Sequence, residues 1–301
     1  MALPTFPAPV DALRRRHLLA LAMGGPVGWP AARASAPVIR HSLRPMADGR
    51  LSYREEVLRL VLEKARPRFG DCELQFTGLV PQARAFSELE NGRLDLCAAM
   101  TDVDRERRAV PVRYCLYRGL LGLRVGLGLP ETVKRLESVD SLEALRAVRL
   151  GLVQDWPDYA IQRAAGLQVV RLANVSSGVA RLRLGGFDLL PVGAVEADDV
   201  ALEFELAKVW RWGLIYPTAF YFFVSPQQPQ LAERLKHGFE VALHDGSFDA
   251  LFGRFVEPTL HAMRVSQRQL FKFPNPLLPS ATPLGRAELW HPLLGRLQPS
   301  V

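Results

Sequence analysis

The chain has 301 residues, which is enough to bury a sizeable core and to form one large or two medium domains. Hydrophobic residues make up 49% and charged residues 23% of it, and this composition excludes an intrinsically disordered protein. The formal net charge is +7, which would favour nucleic acid or an anionic surface only if it lay on the folded part.

The first 36 residues have the layout of a secretory signal. A basic cluster at Arg14–Arg16 precedes an apolar stretch over residues 18–27, and small residues follow up to Ala34 and Ala36, an A-x-A-like cleavage site. Consecutive arginines also permit twin-arginine export. An amphipathic helix or a membrane anchor is the alternative, although the apolar stretch is too short to span a bilayer. We therefore predict export to the periplasm. Residues 1–36 carry a net +3, so their removal leaves +4.

The three cysteines do not indicate a metal site. Cys72, Cys97 and Cys115 form no C-x-x-C pair and have no histidine cluster beside them, so we expect neither zinc nor any other metal or cofactor. Cys97 lies within an apolar strand and Cys115 at the start of another, as small buried hydrophobes do. One disulfide is possible after export, but the sequence does not assign it.

Strand and helix patterns alternate after the signal. "VIRHSL" is a strand, and a helix starts at the capping box Ser52-x-x-Glu55 and ends at Pro67 and Gly70. The strand "CELQFTGLV", the helix "PQARAFSELENG" and the strand "LDLCAAM" follow. A second run of the same kind begins with a helix capped by Asp140. This alternation predicts an α/β fold with mostly parallel sheets.

The last third of the chain has a different character. "LIYPTAFYFFVS" is aromatic and extended, and an amphipathic helix with Leu235 and Phe239 on its apolar face follows it. The proline-rich tail from Phe273 predicts a segment without regular structure.

Several weak motifs in a fixed order carry a resemblance to a known family. "FSELENGRLDLCAAM", Thr101, Arg105, "RAVPVRYCLYRGL", a second α/β run and "DGSFDALFGRF" occur in that order. Over residues 38–256 the chain resembles the family-3 extracellular solute-binding proteins of ABC transport systems. The resemblance implies a two-lobed type II periplasmic-binding-protein fold, hinged at the two crossing segments "GLLGLRV" and "WGLIYPTAFYF". Lobe 1 would comprise residues 38–121 and 216–301, and lobe 2 residues 122–215.

The resemblance also implies an anion-binding arginine. Members that bind amino acids hold the solute's carboxylate with an arginine after the third strand, helped by a nearby hydroxyl, and Arg105 and Thr101 match those positions. A planar guanidinium suits a carboxylate because two parallel N–H donors meet two oxygens. The alternative is a solvated face in which Arg105, Arg107 and Arg108 pair with neighbouring acidic residues.

Five further residues are candidates for ligand contact. Arg84 lies before a short helix at the expected cleft edge, and an exposed charge is equally compatible with it. Gln154, Asp155 and Trp156 stand where a strand ends and a helix begins, a usual place for ligands in α/β proteins, or else they are an ordinary cap and a packed indole. Asp188 is the fifth candidate.

One position departs from the family pattern. Amino-acid binders place an acidic residue in lobe 2 against the solute's ammonium, and Gly193 matches that position here, with Asp188 and Glu196 near but not at it. Because an unpaired ammonium in a closed cleft is costly, an ordinary amino acid fits poorly. A carboxylate without an amine, or a different solute, fits at least as well.

The sequence therefore predicts a monomeric binding protein that clamps a small solute and delivers it to an inner-membrane ABC permease. A sensor module without a transporter and an enzyme with this fold are the alternatives. Catalysis would need a general acid or base, and among the histidines only His41 is expected near the cleft. A DNA-binding regulator is excluded because no helix-turn-helix precedes the lobes and no basic cluster with interleaved aromatics occurs.

Overall fold

The structure is a computed structural model that describes residues 36–43 and 51–294. The expected signal segment, residues 1–36, lies outside this part of the chain apart from Ala36. No helix within the described ranges is long and apolar enough to cross a membrane.

Up to residue 100 the first section alternates strand and helix as the sequence predicts, and a short helix and a short strand that were not predicted follow. Its elements are β1 (Val38–His41), α1 (Tyr53–Phe69), β2 (Glu73–Phe76), α2 (Gln82–Glu90), β3 (Leu96–Met100), α3 (Val103–Arg108) and β4 (Val110–Val112). Helix α1 begins at the predicted cap, where the Ser52 hydroxyl accepts a hydrogen bond from the backbone N–H of Glu55 at 3.4 Å. The helix continues through Pro67, which was expected to end it, and stops at Gly70 with a φ of 76°. Proline is tolerated there because it removes one backbone hydrogen bond close to the helix end.

The second section contains five helices around a second set of strands, and the sequence patterns did not reveal two of these helices. Its elements are β5 (Leu123–Gly128), α4 (Pro130–Leu136), α5 (Leu142–Arg146), β6 (Arg149–Val153), α6 (Pro157–Ala164), β7 (Gln168–Leu172), α7 (Val175–Arg183), β8 (Leu190–Gly193), α8 (Ala197–Phe204), β9 (Ala207–Lys208) and β10 (Trp212–Ile215). Helices α4 and α8 are the unforeseen ones. Helix α5 is capped by Ser141 and not by Asp140, because the Ser141 hydroxyl accepts from the Ala144 N–H at 3.2 Å. Cys115, expected to start a strand, lies in the turn region before β5.

The third section is mostly helical. It comprises β11 (Phe220–Val224), α9 (Pro229–His244), α10 (Ser247–Phe255), α11 (Glu257–Ala262) and β12 (Gln269–Lys272). Leu235 and Phe239 are buried on the predicted apolar face of α9. From residue 273 to residue 294 only short 3-10 turns occur, as expected for the proline-rich tail.

Two larger sheets organise these elements. The first has the order β2-β1-β3-β11-β4, in which β1 runs parallel to β2 and β3, and β11 runs antiparallel to β3 and β4. The second has the order β12-β10-β5-β8 with β9 beside β5, and the parallel pair β6-β7 joins β8 through a bridge between Leu150 and Leu189. We call the part built on the first sheet the first lobe, and the part built on the other strands the second lobe.

Over the described residues the chain passes between the lobes four times, and the last passage is its return to the first lobe after β12. The first two, around Gly122 and between Ile215 and Phe220, are the crossings that the sequence predicts. The third leads into β12, which pairs in parallel with β10 and places Phe271 against Trp212 with ring centroids 6.0 Å apart. Residues 269–272 therefore belong to the second lobe and not to the first as expected. A parallel partner more than fifty residues away leaves no local pattern in the sequence.

Candidate functional site

The end of β3 and the start of α3 place Arg105 at the boundary between the lobes. Asp102 caps α3, with its carboxylate accepting from the Arg105 N–H at 2.8 Å. The cap fixes the first turn of the helix, so the Arg105 side chain turns back toward the strand end and is only 7% exposed.

The Arg105 guanidinium links the two lobes. Nη1 donates to the Met100 carbonyl at 2.7 Å within the first lobe, and Nη2 donates to the Asp155 carbonyl of the second lobe at 2.7 Å. Nε lies 3.3 Å from the Asp102 carboxylate, and the guanidinium carbon lies 5.3 Å from the centre of the Phe86 ring. Burial lowers the pKa of Arg105, partly offset by the nearby acidic groups.

Of the neighbouring arginines of α3, Arg107 faces solvent and Arg108 is half-buried. Arg107 is 72% exposed and lies 3.2 Å from the Asp104 carboxylate. Arg108 pairs with Glu90 at 2.8 Å. Thr101 is fully buried beside Arg105, and its hydroxyl donates to the Glu106 carboxylate at 2.7 Å. Thr101 and Arg105 thus lie together, while Arg107 and Arg108 do not join them.

The other predicted residues divide between the boundary and the outer surface. Asp155 meets Arg105 through its backbone, Gln154 beside it is exposed, and Trp156 packs half-buried against the core. Arg84 is exposed and lies 3.4 Å from Glu88, one helical turn away.

Asp188 lies at the opposite end of the second lobe. Its carboxylate accepts from the backbone and side chain of Arg149, at 2.9 Å in both cases. Arg149 starts β6, whereas Asp155 follows the end of that strand, so the structure does not bring Asp188 to the boundary. Although burial opposes it, the bonds from Arg149 lower the pKa of the Asp188 carboxyl.

A buried ion pair occupies the base of the boundary, beside both predicted crossings. Arg124 of β5 lies 2.5 Å from the Asp158 carboxylate of α6, and both side chains are almost wholly inaccessible. The Tyr216 hydroxyl donates to Asp158 and accepts from Arg124 Nε at 3.1 Å. Despite burial, the Asp158 and Tyr216 neighbours raise the pKa of Arg124. Removing one member of such a pair usually costs about 3–5 kcal/mol.

A second contact joins the lobes at Arg54, in the first turn of α1. Its Nη2 donates to the carboxylate of Glu196, the residue that precedes α8 in the second lobe. Its Nε donates to the Tyr117 hydroxyl at 3.0 Å, and its guanidinium carbon lies 4.9 Å from the centre of the Phe220 ring. Burial opposes the charge, but Tyr117 and Glu196 raise the pKa of Arg54.

Arg105 bonds to Met100 at the end of β3, and Arg54 packs on Phe220 at the start of β11. Met100 and Phe220 are register partners across β3 and β11, so Arg105 and Arg54 contact adjacent positions at the edge of the first sheet. The boundary thus holds one arginine bonded to a neutral carbonyl of the second lobe and another bonded to a carboxylate.

Sequence reasoning missed Arg54, Arg124 and Asp158, although two signals were present. Arg124 is a charged residue in the otherwise apolar strand "LRVGLG", which indicates a buried partner. Arg54 is a cation at the positive end of a helix dipole, which is unfavourable unless an anion is near.

In the described part of the chain, no group of three or more His, Cys, Asp or Glu side chains is placed to hold a metal ion. The three cysteines are free thiols. Burial raises the pKa of Cys97 to about 12 and that of Cys115 to about 11.

Comparison with protein-family models finds no match, and comparison with characterised proteins finds none either. Solved structures do match. An ancestral arginine-binding protein bound to arginine superposes with a TM-score of 0.56 at 14% identity, covering 74% of this chain and 99% of that one.

Two further structures bear on the kind of protein. A histidine kinase sensor domain with similarity to periplasmic binding proteins matches with a TM-score of 0.52 at 18% identity, over 74% of this chain and 97% of that one. A chain from the glutathione import system of Streptococcus mutans, which uses GshT and the cystine ABC importer TcyBC, matches with a TM-score of 0.53 at 12% identity, over 74% and 95%.

These matches confirm the fold. The chain has the two-lobed, α/β type II periplasmic-binding-protein fold that its sequence predicts, and the structures that it resembles include periplasmic amino-acid-binding proteins.

Proposed function

We propose that this chain is an exported solute-binding protein whose lobes close on a small solute with a carboxylate. The observation that carries the proposal is the Arg105 guanidinium, which is buried at the boundary and, among the described residues, is bonded across it to the neutral Asp155 carbonyl. A carboxylate can replace that carbonyl and accept two charge-assisted hydrogen bonds, which are roughly twice as strong as neutral ones. Thr101 lies beside Arg105 as a further hydroxyl.

Delivery to an inner-membrane ABC permease is part of this proposal, with the protein acting as a periplasmic monomer. The fold match to a chain of an ABC import system supports it, as does the signal-like N-terminal sequence. Gln154 and Trp156 flank the Asp155 carbonyl and would contact the solute from the second lobe. Arg84 is a candidate at the cleft edge, and Asp188 is the weakest because it lies at the far end of β6.

We favour binding over catalysis. His41, the histidine that the sequence places near the cleft, is 2% exposed, and its Nδ1 accepts from the Leu43 N–H at 3.3 Å. This environment holds the ring in the core, where it is unsuited to exchange protons with a solute.

A sensor module is the second candidate. One matching structure is a sensor domain, and the lobes of this chain are already joined by side chains of the protein itself, at Arg54 and Arg105. Such a protein would report closure to a partner instead of delivering its solute. Uptake of the identified solute by cells with and without this protein separates the two roles.

The test is a thermal-shift panel of small carboxylates, amino acids, sugars and amines against the wild-type chain, Arg105→Ala and Arg107→Ala. At a hundred times its dissociation constant, a ligand adds about 2.7 kcal/mol of stability. We expect a carboxylate to raise the melting temperature of the wild type and Arg107→Ala equally and to leave that of Arg105→Ala unchanged.

Arg107 is the matched control because it lies in the same helix, carries the same charge and faces solvent. The comparison uses each variant's own ligand-free melting temperature, so a general loss of stability does not mimic lost binding. Equal increases in the melting temperature of all three proteins would show that Arg105 does not bind the solute. No shift with any carboxylate would overturn the proposed solute class.

A further inference from the structure

The guanidinium of Arg54 has the surroundings of a bound cationic ligand. The Glu196 carboxylate accepts a hydrogen bond from Arg54 Nη2, and the Tyr117 hydroxyl oxygen accepts one from Arg54 Nε at 3.0 Å. Its guanidinium carbon stands 4.9 Å from the Phe220 ring centre and 5.7 Å from that of Tyr117. The two rings meet at an angle of 76°, so they form two walls around the cation. Aromatic walls with a carboxylate are the usual means of recognising organic cations.

The Arg54 side chain does not stabilise helix α1. Arg54 lies in the first helical turn, beside the positive end of the helix dipole, where a cation is unfavourable. Its partner Glu196 is 142 residues away and belongs to the second lobe. The contact therefore acts between the lobes and not within the helix.

Gly193 lies beside the Glu196 carboxylate and, having no side chain, leaves room for it. A Cβ atom at Gly193 would lie 3.2 Å from Glu196 Oε2 and 2.7 Å from Leu121 Cδ2. A side chain at position 193 would therefore compete with Glu196 for this space. The carboxylate of Glu196 thus lies beside the position where the sequence lacks an acidic residue.

We propose that Glu196, Tyr117 and Phe220 form a cation-binding subsite between the lobes that the protein fills with its own Arg54. Because Arg54 is tethered to the chain, it competes for the subsite at an effective concentration of at least about the millimolar range. A free guanidinium or ammonium group of ordinary affinity is therefore excluded from the subsite. Resting on the proposed function, this inference narrows the solute class. The site takes a carboxylate that carries no cationic group, because the place for such a group is occupied.

The test is rescue by a small guanidinium compound. Wild type, Arg54→Ala and Arg59→Ala are melted in increasing methylguanidinium chloride, with sodium chloride at equal ionic strength as the reference. We expect a saturable rise in the melting temperature of Arg54→Ala only, of roughly 2–4 °C at ten times the dissociation constant. Arg59 is the matched control because it lies in the same helix and pairs with Glu55 at 3.0 Å, within that helix.

A second substitution identifies the subsite. In Arg54→Ala combined with Glu196→Gln, the rescue should be lost, since the carboxylate that pairs with the cation is gone. A folded Arg54→Ala protein that gains nothing from methylguanidinium would overturn the inference. So would a wild-type protein stabilised by the compound to the same degree.

A chemical measurement on the wild type covers the case in which Arg54→Ala does not fold. Phenylglyoxal labelling, read by peptide mass mapping, should modify Arg54 at least tenfold more slowly than Arg59, and Glu196→Gln should bring the two rates together. Equal rates in the wild type would contradict the occupied subsite. Because these measurements need no carboxylate, failure of the Arg105 panel and failure of this inference are recognised separately.

Discussion

Burial is the largest influence on the proton affinity of His41. It is enclosed in the first lobe, with its ring centre 5.9 Å from that of Phe76, and Nδ1 accepts a backbone hydrogen bond from Leu43. Burial lowers the pKa of His41 below its usual value near 6.5; Glu55 opposes this with a smaller effect, and Arg59 adds to it. The folded protein therefore holds this ring neutral.

This environment predicts a pH dependence of stability. A histidine with a lowered pKa in the folded state binds its proton more readily when unfolded, so the free energy of unfolding is complete above about pH 6.5 and falls as the pH drops below it. The slope is at most about 1.4 kcal/mol per pH unit for one proton. Urea unfolding between pH 5 and pH 8 should show a smaller slope in His41→Gln. The exposed His244→Gln should retain the wild-type slope, and a slope unchanged in both variants would contradict a neutral buried His41.

At the scale of elements, the contact between α1 and α9 holds the helical side of the first lobe together. The helices approach so closely at Gly238 that an added Cβ atom would lie 1.9 Å from the Val61 carbonyl oxygen. Backbone atoms cannot move aside as a flexible side chain does, so the absence of a side chain at this position sets the distance between the helices.

We therefore expect Gly238→Ala to lower the free energy of unfolding by about 1–3 kcal/mol, the range for overpacked cores. Gly253 in α10 is the matched control because no atom lies within 4 Å of its added Cβ. There the alanine should stabilise by about 0.5–1 kcal/mol through its better helix propensity. Urea unfolding measures the free energy of unfolding of both variants. A Gly238→Ala protein as stable as the wild type would contradict the close approach of α1 and α9.

At the scale of the whole molecule, the third crossing makes the C-terminal segment part of both lobes. Strand β12 extends the second sheet, and the chain then returns to the first lobe, where the His291 N–H donates to the Arg118 carbonyl at 2.9 Å. Phe271, 8% exposed, joins the core of the second lobe beside Trp212. The tail thus fastens the second lobe to the hinge side of the first.

Phe271→Ala should lower the free energy of unfolding by about 3 kcal/mol through loss of buried surface and the cavity left behind. Hydrogen exchange should accelerate in β10 and β12 while β3 and β11 keep their protection. The control is Leu184→Ala, 88% exposed, which should change stability by no more than about 0.5 kcal/mol. Equal acceleration in the first sheet would mean that β12 does not belong to the second lobe alone.

The local structure and the order of most elements could be predicted from the sequence. Period-2 and period-3.6 patterns, the Ser52 cap and the glycine at position 70 act over a few residues, so they could be read directly. The same locality placed Arg105 after the third strand. It also explains the errors at Pro67, Asp140, α4 and α8, where several local signals compete or are weak.

Only the tertiary structure decided which distant residues meet. Arg105 bonds to a carbonyl 50 residues further along the chain, Arg124 to Asp158, and Arg54 to Glu196. It also moved Asp188 away from the boundary and β12 into the second lobe. These contacts depend on how the two lobes pack and on which buried charges must be paired. The sequence shows that a residue is charged, but it does not show which distant residue pairs with it.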